Sequence, residues 1–81
     1  MMLVAIKDTK SQAYGRPSLA INKDVAIRDV KSLVNDSAKT LVSQFPGDFE
    51  LWQVGTYAEN TGIIESKLEF IENLGNLKEA Q

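Results

Sequence analysis

Apolar residues arrive in distinct rhythms along this chain, and each rhythm predicts a different element. Leu3-Val4-Ala5-Ile6 is an unbroken apolar run that gives way to Lys7-Asp8-Thr9-Lys10, the signature of a first strand too apolar to be an exposed edge. Tyr14-Gly15-Arg16-Pro17 follows; glycine frees the backbone and proline pushes Arg16 towards an extended conformation, so residues 11–17 are expected to form a loop. Ala26, Ile27, Val30, Leu33 and Val34 then recur at spacings of three and four behind Asn22 and Asp24, either of which can cap a helix. An amphipathic helix over about 24–35 results, with the apolar set mostly buried and Arg28, Asp29, Lys31, Ser32 and Asn35 on its wet side.

Asn35-Asp36-Ser37 offers a fresh cap, behind which 38–44 can form one or two further turns before Phe45-Pro46-Gly47-Asp48 stops them. Phe49, Leu51, Trp52, Val54 and Tyr57 favour a strand over 48–57, with Leu51 and Trp52 pointing to opposite faces and Asp48 and Glu50 sharing one. Phe45 and Phe49, on either side of the Pro-Gly turn, are both assigned to the core. Glu59-Asn60-Thr61-Gly62 is a turn with glycine at its positive-φ position, and Ile63-Ile64-Glu65 returns as the partner strand. From Lys67 onwards Leu68, Phe70, Ile71, Leu74 and Leu77 fit a short helix or an extended arm equally well, so 66–81 is a C-terminal arm or a short helix. The expected architecture is α+β: a small mixed or antiparallel sheet in strand, helix, hairpin order, with one principal helix on one face.

Length and composition narrow the function. A chain of 81 residues builds one core, so 1–81 is a single domain, and 43 % hydrophobic with 25 % charged residues is a globular composition. There is no cysteine and no histidine, which removes disulfides, thiolate metal sites and every Ser-His or Cys-His nucleophile. The glycines never cluster into a phosphate-cradling loop, and the paired carboxylates Asp48 and Glu50 have nothing beside them to complete a hydrolase or metal site. The expectation is a binding protein, not an enzyme, with no cofactor and no metal. The apolar start is too short for a signal peptide or a membrane span, which with the lack of cysteine points to a reducing cytoplasm and no membrane partner.

Charge is uneven in a way the net value of −2 conceals. Residues 1–40 carry seven Lys and Arg against four Asp, net +3, while residues 41–81 carry two Lys against seven acids, net −5. A basic side could track phosphates; an acidic side could face a basic partner or a second copy. Lys7, Lys10, Arg16, Lys23, Arg28 and Lys31 are the candidate phosphate contacts. Tyr14 and Trp52 are the candidate stacking platforms, because every base offers a π-face to an aromatic ring. The bland alternatives are a solvated surface for the charges and a core position for Trp52. A domain this small gains from extra burial, so a homodimer through the terminal segment or a sheet edge is expected.

The ordered set Val25-Ala26-Ile27-Arg28, Val34-Asn35-Asp36, Phe45-Pro46-Gly47-Asp48-Phe49-Glu50-Leu51-Trp52, Gly55-Thr56-Tyr57 and Asn60-Thr61-Gly62 resembles the small nonstructural protein of gokushoviruses, single-stranded DNA phages of the Microviridae. The resemblance runs from Tyr14-Gly15-Arg16-Pro17 to about Ile71. Departures are Ser18-Leu19 where the family tends to place aromatics, Gly47 where an acid is common, Trp52 where tyrosine is usual, and Ser66-Lys67-Leu68-Glu69 where a proline-rich stretch is frequent. What the resemblance implies is a nonstructural protein in the host cytoplasm, acting between genome replication and packaging through weak, salt-dependent, sequence-independent binding of single-stranded DNA. The alternative is a protein-interaction module that engages the replication initiator or the procapsid without touching DNA.

Overall fold

The computed structural model describes residues 1–79. Five strands form one antiparallel sheet: β1 (Met2–Asp8), β2 (Ala13–Tyr14), β3 (Ser18–Ala20), β4 (Phe49–Ala58) and β5 (Ile63–Asn73). Between β3 and β4 the chain forms the helices α1 (Lys23–Val34) and α2 (Leu41–Gln44), then a 3-10 turn at Pro46–Asp48; a second 3-10 turn, Leu74–Leu77, follows β5. The architecture is the α+β one expected, and every pairing is antiparallel.

The buried first strand lies inside the sheet, with β4 along one side and β2 and β3 sharing the other. Residues 11–17 are not all loop. Asp8 Oδ1 accepts the N–H groups of Lys10 and Ser11, Gln12 takes a left-handed φ of 59°, and the chain turns back so that Tyr14 pairs with Lys7. Pro17 holds the backbone extended, and Ser18–Ala20 rejoins the same edge opposite Met2–Val4.

Asn22 caps α1, its side chain accepting the N–H of Val25 at 2.9 Å. Ala26, Val30 and Val34 are buried against Val4, Ala20, Phe49, Leu51 and Leu74, with Ile27 half-buried beside them, while Arg28 and Lys31 are exposed. Leu33 departs from expectation at 38 % exposure, because it borders a cleft between the helix and Gly15–Ser18 instead of the core itself. The fresh cap for α2 is Thr40, not Asn35 to Ser37: Thr40 Oγ1 accepts the N–H of Ser43, and Ser43 Oγ accepts that of Thr40.

Phe45 is 54 % exposed, so its core assignment fails, whereas Phe49 is buried. The inward parity of β4 begins only at Phe49 and continues through Leu51, Gln53 and Gly55. Asp48 belongs to the 3-10 turn and does not share a strand face with Glu50. The hairpin turns where expected, Gly62 at φ 74° donating its N–H to Ala58. Beyond it the extended alternative, not the helix, holds up to Asn73. It is a long edge strand, interrupted by register shifts at Leu51/Trp52 and Gln53/Gly55.

The end of the described chain is fastened to the helices. Lys78 Nζ donates to the carbonyls of Val34 and Ser43 at 3.2 and 3.4 Å, and Asn35 bonds both the Leu77 carbonyl and the Glu79 N–H. These contacts satisfy groups at helix C-termini that would otherwise lack partners.

Candidate nucleic-acid interface

Alternation along β1 sorts its residues between two faces. Met2, Val4 and Ile6 pack with the helix, while Ala5 and Lys7 fall on the opposite, open face. On β4 the same alternation puts Glu50 and Trp52 on the open face, directly across from Lys7 and Ala5. Tyr14 on β2 is the other neighbour of Lys7, and Phe70 on β5 is the neighbour of Trp52.

Four strands thus assemble one row. The Tyr14 and Trp52 rings meet edge to face with centroids 6.0 Å apart at 82°, and Trp52 meets Phe70 at 5.6 Å and 80°. Each such pair contributes about 0.5–1.5 kcal/mol beyond its burial. Lys7 Nζ lies 5.4 Å from the Tyr14 centroid and 5.5 Å from the Trp52 centroid, within cation–π range of both. The Trp52 indole N–H donates to Glu50 Oε1 at 3.0 Å, which fixes the ring, and Glu50 is the cross-strand partner of Lys7. Tyr14 and Phe70 are exposed and Trp52 half-buried, so the row presents aromatic surface while its middle ring is held.

The structure brings together three of the sequence-predicted residues, Lys7, Tyr14 and Trp52, and divides the others. Lys10 sits in the tight turn at the end of β1. Arg16 lines the cleft of about 350 Å3 that Val30, Leu33 and Asp29 bound from the helix side. Lys23, Arg28 and Lys31 belong to α1, the layer behind the sheet; Arg28 pairs with Asp29 at 3.4 Å and Lys31 with Glu79 at 3.3 Å. A single extended strand lying over Trp52 cannot also contact these helical cations. Phe70 and Glu50 complete the site without having been singled out from sequence as its members. The signal for Glu50 was the i, i+2 spacing from Trp52 on a strand; Phe70 could be placed only once β5 was known to continue past Lys67.

A small antiparallel α+β domain with a cation-bearing aromatic row on its open face is the class these features define. No curated protein and no solved structure matches the chain. A family model described as Phage ORF5 protein matches residues 1–79, and the chain belongs to that phage protein family. Among the described residues no helix is long and apolar enough to cross a membrane.

Proposed function

We propose that this is a non-enzymatic phage nonstructural protein of the gokushovirus kind that binds single-stranded DNA without sequence preference, between genome replication and packaging. The observation that carries the reading is the Tyr14–Trp52–Phe70 row with Lys7 over two of its rings. Unpaired bases stack on exposed aromatic faces, and Lys7 and Lys10 supply phosphate contacts at the same end of the sheet. Duplex DNA hides its base faces and gains little from such a row. With two or three cations in reach and an overall charge of −2, affinity is micromolar or weaker and falls steeply with salt.

Fluorescence-anisotropy titration with single- and double-stranded oligonucleotides at two salt concentrations tests this. Single strands bind more tightly, and Trp52→Ala weakens them by about 1–3 kcal/mol, the contribution of one stacked base. Exposed Ile63, Ile64 and Leu68 on the acidic hairpin favour the second reading, a module that engages the replication initiator or procapsid. Absence of DNA binding by the wild-type chain at low salt makes that reading the better one.

A further inference from the structure

Among the described residues, no strand pairs with the outer edge of β5. β5 pairs with β4 on one side only, and its first eight residues, Ile63 to Phe70, are all exposed. Four of them are large and apolar: Ile63 at 56 %, Ile64 at 66 %, Leu68 at 63 % and Phe70 at 46 % exposure. An edge of this length, with apolar side chains on it, is a template for another strand.

The charges on the edge say which strand fits. Glu65, Lys67 and Glu69 alternate in sign along the sequence of the edge, across the register shift between Ser66 and Glu69, with Lys67 Nζ 3.6 Å from Glu69. In a parallel, in-register pairing like charges would face like, which is unfavourable. In an antiparallel pairing about a two-fold axis at Ser66, Glu65 faces the second copy's Lys67, and symmetry repeats the pair. The sequence of this edge is therefore complementary to itself in one orientation. We infer that two copies of this chain join antiparallel through their β5 edges, with Ser66 on the two-fold axis, into one continuous sheet.

Such a dimer is closed, since each copy uses its one long free edge and offers no further one. It also covers apolar side chains that an 81-residue chain has no core to accommodate. The two-fold axis runs perpendicular to the sheet, so both open faces, each with its aromatic row, lie on the same side. The inference rests on the edge alone and not on DNA binding, and its test is made without DNA.

The mass in solution is measured by light scattering at high micromolar concentration for the wild type, Glu65→Lys, Lys67→Glu and the double exchange. The wild type is expected at twice the chain mass of 9.0 kDa. Each single reversal puts like charges opposite each other twice and is expected to weaken association at least tenfold, while E65K/K67E restores it. An equimolar mixture of the two single variants should also dimerise, because lysines at 65 and 67 then face glutamates at 67 and 65. Circular dichroism confirms that each variant is folded. A wild type that stays at 9.0 kDa overturns the proposal. So does a dimer that neither single reversal weakens, or a mixture that remains monomeric.

Discussion

Glu50 is the residue on the open face whose charge opposes the function proposed for it. Its carboxylate accepts the Trp52 indole N–H at 3.0 Å and lies across from Lys7, so it stands where a phosphate bound by Lys7 would approach. Glu50→Gln keeps an acceptor oxygen for the indole and removes one negative charge. For a phosphate about 7 Å from the carboxylate, at an effective dielectric of roughly 40–80, the relieved repulsion is about 0.6–1.2 kcal/mol, or a three- to eightfold gain in affinity. The gain should be largest at low salt and shrink near 0.15 M, where the Debye length is about 8 Å. Glu50→Ala separates the two roles, since it relieves the repulsion but also releases the indole, and its gain should be smaller. The readout is anisotropy of a labelled single-stranded oligonucleotide. Unchanged or weaker binding by Glu50→Gln at low salt would mean that phosphates do not approach the row, and the interface as drawn would be wrong.

Three further outcomes concern the scaffold. Val30→Asp places a carboxylate without a partner in the core, at a cost of several kcal/mol against a total stability of roughly 5 kcal/mol, so cooperative thermal unfolding by circular dichroism should vanish; a folded variant would contradict the packing. A Cβ on Gly55 would stand 2.5 Å from the Glu65 carbonyl oxygen, so Gly55→Ala must push the hairpin strands apart, with a loss of about 1–3 kcal/mol seen as a lower Tm. An unchanged Tm would show that the strands are not this close. Lys78→Met removes the ammonium from the Val34 and Ser43 carbonyls and should cost about 1–2 kcal/mol in urea denaturation, whereas the same change at an exposed lysine without such partners would cost almost nothing.

Elements whose signals are local were legible in the sequence. The period of Ala26, Val30 and Val34, with Asn22 or Asp24 as the cap, located α1 to within a residue, because helix period and capping chemistry act over four residues. Gly62 located the hairpin for the same reason. β2 and β3 were not legible: strands of two and three residues carry no period, and what makes them strands is the N–H and C=O edge of β1. β5 was legible as a strand only at Ile63 to Glu65, and beyond them its extended form was one of two open alternatives. Its two register shifts against β4 break the alternation between Glu65 and Ile71, leaving apolar spacings that also suit a helix. The site inherited that ambiguity. Lys7, Tyr14 and Trp52 could each be named from residue type, but their assembly depends on cross-strand register, and Phe70 depends on β5 being a strand at all. The helical cations Lys23, Arg28 and Lys31 were grouped with them by charge sign, which carries no information about which layer a residue occupies.

The two faces of the sheet separate the hydrophobic core from the aromatic row. Leu51, Val34 and Leu74, the most deeply buried large side chains, all lie on the helix side, where each contributes about 1.5–3 kcal/mol through burial. The open face holds side chains that can be exchanged without opening that core: Lys7, Glu50 and Trp52 are half-buried there, and Ala5, opposite Trp52, is buried. Substitutions on the two faces should therefore act independently, since residues that share no partner combine additively. β4 is the exception, because Leu51 anchors the core and Trp52 the aromatic row from adjacent positions of one strand. A slip of β4 by one residue would exchange their faces, exposing Leu51 and burying the indole away from Glu50. The register of β1 on β4, set by Ile6 opposite Leu51 and Ala5 opposite Trp52, is thus the one structural feature on which both the stability of the fold and the existence of the row depend.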